Sequence, residues 1–240
     1  MVITIDGPVA SGKTTIGLLL SIELSKIFHK SFYFLDTGLI YRKYAYLLIN
    51  NKLNKNKKFK KFDIKYFEEL IINNTKPKEF EKKMNYLFTE EIAIYTSKIA
   101  TEKKIRDYLT SIQIKLVNNK DTVVVGRDSG SIVFKNADFK FFLYASNYIR
   151  ALRRYYQYKE SNPSILKKLS FSDILNKIIE RDSQDKNRKY APLPDITNLP
   201  PDFILINTDN LTIPQTIEKI ISIITSNFTK QDSKTNLNNY

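Results

Sequence analysis

The stretch TIDGPVASGKTT, residues Thr4–Thr15, runs from an apolar strand through a glycine-bracketed turn into a helix. Gly7, Pro8, Val9, Ala10, Ser11, Gly12, Lys13 and Thr14 fit the pattern G-x-x-x-x-G-K-[ST], and Thr15 follows directly. The setting gives the pattern its meaning. Val2–Ile5 reads as a short buried strand, and Lys13–Ile27 as a helix with apolar residues at helical spacing. Between them, the glycines let the backbone curl so that successive N–H groups point inward at phosphate oxygens. The helix start adds the positive end of its dipole. The Lys13 ammonium can reach the β- and γ-phosphates, and the Thr14 hydroxyl is placed to ligate Mg²⁺. The loop is therefore expected to hold a nucleoside triphosphate such as ATP.

Outward from this loop, strands and helices alternate. Further strands are expected at Phe32–Leu35, Thr122–Val125, Phe139–Leu143 and Phe203–Ile206. Helices are expected at 39–50, 89–100, 102–118, 147–158, 171–182 and 213–228. Short apolar strands separated by helices imply an α/β fold, with a five-stranded parallel sheet covered on both faces in three layers. The polar segment 51–85 lacks strong periodicity and reads as an insertion outside the sheet. One domain over residues 1–228 is expected, followed by a polar, frayed tail from Thr229 to Tyr240.

Composition excludes several classes. The 240 residues include no cysteine, which removes disulfides, thiolate metal sites and cysteine nucleophiles. No apolar run approaches bilayer length, and the start VITI has no secretory pattern, so a cytoplasmic protein without membrane contact is expected. The net charge of +14 invites a nucleic-acid reading. However, the 31 lysines are scattered, and the one run, Lys52–Lys61, reads as a solvated part of the insertion. His29, the single histidine, ends the first helix, where a basic residue suits the dipole.

A bound triphosphate leaves the reaction open. A guanine-reading Asn-Lys-x-Asp after a strand is absent; Asn119-Lys120-Asp121 has the wrong spacing. The run Val123-Val124-Val125 ends in Gly126-Arg127-Asp128 and not in the acidic pair of a helicase or transporter ATPase. A kinase for a small phosphorylated acceptor needs a second anion site rich in arginine. This chain has only eight arginines: 42, 106, 127, 150, 153, 154, 181 and 188. Their planar two-pronged donors do what lysine cannot. They fall in LDTGLIYR (Leu35–Arg42) and GRD (Gly126–Asp128), both just past strands at the ligand-binding edge of a parallel sheet. The others lie on the helix with Arg150, Arg153 and Arg154, in RDSQDKNR (Arg181–Arg188), and at Arg106.

At these residues the chain resembles the bacterial cytidylate kinases, of the nucleoside monophosphate kinases, from about Val2 to Phe228. IDGPVASGKTT resembles the family's P-loop and LDTGLIYR its acceptor motif. TSKIATEKKIRDYL is similar to the helix pair that carries a sugar-contacting serine and a base-contacting arginine. VGRDSGSIVF, ASNYIRALRRYYQ and ERDSQDKNRKYAPL resemble the G-R-D segment, the lid helix and the R-D-x-x-D-x-x-R motif.

The resemblance implies a P-loop kinase core with a monophosphate-binding insertion at about 39–118 and a lid at about 150–170, acting on CMP or dCMP with ATP and Mg²⁺. By the same resemblance, Arg42 and Arg127 clamp the acceptor phosphate, within the motif that carries Asp36 and Tyr41. Thr37, Arg106, Asp128 and Arg188 surround the base, while Ser97, Arg181 and Asp185 lie by the sugar. Arg150 and Arg154 come down from the lid onto the transferring phosphoryl group. A monomer is expected, with nucleic acid no partner. Another nucleoside monophosphate kinase, or a nucleic-acid-binding P-loop ATPase, are the alternatives. Two departures stand out. Val125 occupies a position where the family often has an acidic residue, which would leave Asp36 or Asp128 to serve the metal. Phe88 stands where arginine is frequent.

Overall fold

A computed structural model describes residues 1–50, 59–161 and 163–237, with side chains through residue 227. The Lys52–Lys61 run therefore lies mostly outside the described residues. Five parallel strands form as expected: β1 (Val2–Asp6), β2 (Tyr33–Asp36), and then, after the short strand described next, β4 (Thr122–Val125), β5 (Phe139–Tyr144) and β6 (Phe203–Asn207). The sheet has six strands, not five. Strand β3 (Ile71–Asn73) pairs antiparallel with β2, giving the order β3-β2-β4-β1-β5-β6. It falls in the segment expected to lie outside the sheet. Three residues of edge strand between Glu68-Glu69-Leu70 and Asn74-Thr75 carry too little alternation to be read as a strand.

Helix α1 (Lys13–Ile27) follows the loop, and α2 (Thr37–Asn50) starts directly at the end of β2. The insertion contains α3 (Pro77–Met84), α4 (Glu90–Ile99) and α5 (Lys103–Val117). Helices α6 (Asn147–Ser161) and α7 (Phe171–Lys186) pack together, and α8 (Ile213–Leu237) packs on α1. The last helix thus continues past the boundary expected at residue 228. Among the described residues no helix is long and apolar enough to cross a membrane.

The strand pleat sorts the core. Ile3, Ile5, Val123 and Val125 are buried, and Ile5 pairs with Val125 in register. A Cβ on Gly17 of α1 would meet Val125 Cγ1 at 2.4 Å, so α1 lies on this face almost backbone to side chain. That contact explains the valine: its side chain fills the helix–sheet interface. An acidic group there would be buried against α1 without a partner. Thr4 and Asp6, one residue out of phase, face the opposite side. Because β1, β2, β4, β5 and β6 are parallel, Asp6, Asp36, Gly126 and Asn207 all arrive at one edge.

Candidate active site

At that edge the glycine-bracketed loop takes the conformation its sequence requires. Gly7 has φ of +150°, and a Cβ there would sit 2.2 Å from the Leu143 carbonyl oxygen, so no other residue fits. The Lys13 ammonium folds back over the loop, with Nζ 2.5 Å from the Pro8 carbonyl and 3.3 Å from Ser11 Oγ. Burial, helped by the positive charge of Arg127, lowers its pKa to about 7. A triphosphate would supply the missing counter-charge.

Thr14 Oγ1 donates to Asp36 Oδ2 at 2.8 Å, and Asp36 Oδ1 accepts from the Gly38 N–H at 2.9 Å. This hydroxyl and carboxylate fit Mg²⁺, a hard ion that takes few protein oxygens and completes its shell with water and phosphate. Among the described residues no three acidic, histidine or cysteine side chains cluster as a metal site, so these two would be the protein's contribution. With Val125 committed to the core, Asp36 is the carboxylate beside Thr14.

Most of the residues expected to bind the acceptor form two ion-paired groups, around Asp185 and around Asp128. Asp185 is fully buried and lies between three guanidinium groups, Arg127, Arg181 and Arg188. Arg181 Nη1 also donates to Ser97 Oγ at 2.8 Å, tying α7 to α4. Asp128 pairs with the buried Arg106, which also lies over the Tyr41 ring at 5.5 Å and donates to the Ala100 carbonyl. Burial pushes the Tyr41 phenol up to about 12, keeping it a donor. Thr37 is buried and donates to the Val125 carbonyl at 3.0 Å.

Breaking the Asp185 hub has a calculable consequence. Asp185→Asn leaves three facing cations without their shared anion, and removing one partner from a buried ionic cluster costs about 3–5 kcal/mol. Urea unfolding is expected to show a loss of that order, relieved by a bound anionic nucleotide; a change under about 1 kcal/mol would mean that water screens the hub.

Arg42 shows how the Phe88 departure is absorbed. Its Nη1 donates to the Leu87 carbonyl at 3.0 Å, and its guanidinium lies over the Phe88 ring at 4.8 Å. The half-exposed ring and the carbonyl before it orient the plane of Arg42. Burial lowers the pKa of Arg42, as do Arg127 and Arg154, while Asp36 opposes them. Arg42 thus feels Asp36 at the end of β2, Arg127 just after β4 and Arg154 on α6.

Of the two expected lid arginines, Arg150 stands elsewhere, while Arg154 lies near enough to Arg42 to act on its charge. Arg150 is buried inside the protein. Its Nε donates to the Ala145 carbonyl (3.0 Å), Nη1 to the Val9 carbonyl (2.7 Å) and Nη2 to Asn147 Oδ1 (2.5 Å), and it pairs with Asp182. Asp182 in turn accepts from the Val9 N–H at 3.2 Å. Arg150 and Asp182 therefore clasp both polar groups of Val9, fastening α6 and α7 to the loop. Arg154 bonds Gln157 at 2.9 Å on the exposed side of α6. Arg153 anchors α6 to the end of β6 through Thr208. Asp182 and Asn147 were not singled out from the sequence; Asp182, lying inside the RDSQDKNR motif, was the more readable of the two. Asp6 was also passed over, although an aspartate ending a buried apolar strand is itself a signal.

Comparison with known proteins identifies the family. The family model described as cytidylate kinase matches residues 3–226. A cytidylate kinase from Thermosipho melanesiensis is 36% identical over 222 residues, covering 92% of this chain and 95% of the relative. One from Thermosipho africanus is 35% identical over 92% of this chain and 93% of its own length. One from Fervidobacterium nodosum is 35% identical over 92% and 95%. With the family model matching residues 3–226 and these relatives 35–36% identical over 92% of the chain, this protein belongs to the cytidylate kinase family.

Proposed function

We propose that the chain transfers the γ-phosphate of ATP to CMP or dCMP, giving ADP and CDP or dCDP. The observation that carries this reading is the cytidylate kinase family match over residues 3–226, on a chain whose Lys13 loop after β1 and Arg127 after β4 leave the sheet at the same edge. One cation belongs to the donor loop and the other to the acceptor cluster, so the two phosphates would meet between them. Phosphoryl transfer asks for positioning and charge stabilisation and needs no covalent intermediate on the protein.

In this reading Lys13 and the loop N–H groups hold the β- and γ-phosphates. Arg42 and Arg127 hold the acceptor phosphate, while Asp128, Arg106, Thr37 and Arg188 surround the base. Ser97, Arg181 and Asp185 stand by the sugar. Thr14 and Asp36 would hold Mg²⁺, which when bound neutralises phosphate charge as it develops. Arg150 keeps the Val9 peptide in place, and Arg154 is the lid arginine free to turn inward when α6 and α7 close. Closure would keep water from the transferring group. No second chain is needed to complete this set of residues, and a monomer in the cytoplasm suits such an enzyme.

The deciding experiment is a panel of nucleoside monophosphates with Mg·ATP, with and without RNA. CMP and dCMP are expected as the preferred acceptors, with ADP formation abolished by EDTA. Preference for a different monophosphate would move the chain's substrate elsewhere, and RNA-stimulated ATP hydrolysis without phosphorylation of CMP would overturn the reading.

The arginines are tested by conservative change. Arg→Lys at 42, 127 or 188 keeps the charge but loses the fork, which is expected to cost about 1.5–3 kcal/mol in kcat/KM for CMP. Unchanged activity in all three variants would show that charge alone suffices.

A further inference from the structure

After β4 the chain leaves the sheet at Gly126 and, past Arg127 and Asp128, enters a single wide turn over Ser129–Val133. Asp128 occupies the position that caps this turn. An aspartate there would ordinarily accept from the turn's own first N–H groups, which have no partner within it. It makes no such bond. Its carboxylate instead faces Arg106. The orphaned N–H groups are taken by a residue from another strand: Asp6 Oδ1 accepts from Ser129 at 2.9 Å, and Asp6 Oδ2 from Gly130 at 2.8 Å.

Asp6 is well placed for this. It is the last residue of β1, has no solvent exposure, and points to the sheet face opposite α1. The turn lies against that face, where a Cβ on Gly130 would meet Thr4 Oγ1 at 2.5 Å. Asp6 also ends the strand that leads into the phosphate loop, which starts at Gly7.

We infer that Asp6 is a specificity-determining positioning residue: by capping the Ser129–Val133 turn in place of Asp128, it leaves the Asp128 carboxylate free to face the acceptor base. The inference rests on the proposed reading of Asp128 as a base contact. Without Asp6, two buried N–H groups lose their acceptor. The nearest carboxylate able to replace it is that of Asp128, in the position where aspartate caps best. Asp128 would then turn from the base toward its own backbone, and the site would lose its acceptor for an exocyclic amine while keeping its phosphate contacts.

The test compares kcat/KM for CMP and UMP at fixed Mg·ATP in the wild type, Asp6→Asn, Asp6→Ala and Asp128→Ala. In Asp6→Asn one carboxamide oxygen can accept one N–H, while its NH₂ opposes the other. This variant carries the test should Asp6→Ala fail to fold. The CMP-over-UMP preference is expected to fall roughly tenfold or more in Asp6→Asn, the size of one to two lost hydrogen bonds. The loss is expected mainly on the CMP side, with KM for ATP changed less than about threefold. In ¹⁵N-labelled protein the Ser129 and Gly130 amide signals are expected to shift. A merely structural role would depress CMP and UMP alike and leave their ratio unchanged. A collapsed preference in Asp128→Ala beside an intact one in Asp6→Asn overturns the inference and leaves Asp128 as the reader. A wild type that shows no preference overturns the Asp128 reading itself, and this inference with it.

Discussion

Lys13→Ala is expected to lower kcat for CMP phosphorylation by about 10²–10³ or more, the range seen when one preorganised donor is removed from a developing negative charge. Lys13 is held ready by the Pro8 carbonyl at 2.5 Å and Ser11 Oγ at 3.3 Å, so little reorganisation is needed when phosphate arrives. Lys13→Arg is expected to fail as well, because a planar fork cannot occupy the space of a compact ammonium between two phosphates. Stability separates lost chemistry from lost folding. Burial lowers the Lys13 pKa to about 7, so the charged lysine is strained without its ligand. The Tm of ligand-free Lys13→Ala is therefore expected to match or exceed the wild type, as often happens when a functional residue is relieved. The rise in Tm on adding ATP should largely vanish. A coupled ADP assay with CMP that stays near the wild-type rate would sink this assignment.

The loop and the sheet edge were legible because their signals are local. Gly7, Lys13 and Thr14 stand at fixed spacing after an apolar strand, and the five parallel strands are short apolar runs. Scarcity made the arginines readable: in a lysine-rich chain, Arg106, Arg127, Arg181 and Arg188 stand where a planar donor meets Asp128 or Asp185. What escaped was set by tertiary contact. Strand β3 is three residues long and exists because β2 offers it an edge. The place of Arg150 depends on Asp182 approaching from another helix, so its position one turn before Arg154 on α6 suggested a shared direction that packing does not give it. The two departures were visible in the sequence, but their reasons were not. Val125 answers to Gly17, 108 positions away, and Phe88 answers to the plane of Arg42. Asp6 was hidden by its neighbours, since it completes an apolar strand and opens a motif that claims attention one residue later.

Base choice carries the largest ratio. Cytosine presents an amino donor at N4 and an acceptor at N3; uracil presents an acceptor at O4 and a donor at N3. A cytosine site therefore needs an acceptor facing N4 and a donor facing N3. An ionised carboxylate only accepts, so Asp128 can serve N4, while Arg106 beside it can serve N3. Burial raises the Asp128 pKa above the ordinary carboxylate value, against the pull of Arg106, Arg188 and Arg127, and the ion pair with Arg106 fixes where the carboxylate faces. Against uracil, the same carboxylate would face O4, two acceptors opposed, with a buried charge left unpaired. Rejection by unpaired buried groups reaches ~10⁴-fold where water is excluded and less where it is not. CMP is thus expected to be strongly preferred to UMP in kcat/KM at fixed Mg·ATP. Asp128→Ala should narrow the gap chiefly by harming CMP, because UMP loses only a repulsion. It should also leave Arg106 without its partner, so Asp128→Asn is the cleaner comparison: its amide keeps the shape and can accept through oxygen or donate through nitrogen. In Asp128→Asn the preference is expected to shrink from both sides, with CMP falling and UMP rising. Equal use of both pyrimidines by the wild type would show that Asp128 does not read N4, and that the enzyme takes pyrimidine monophosphates without distinguishing that edge.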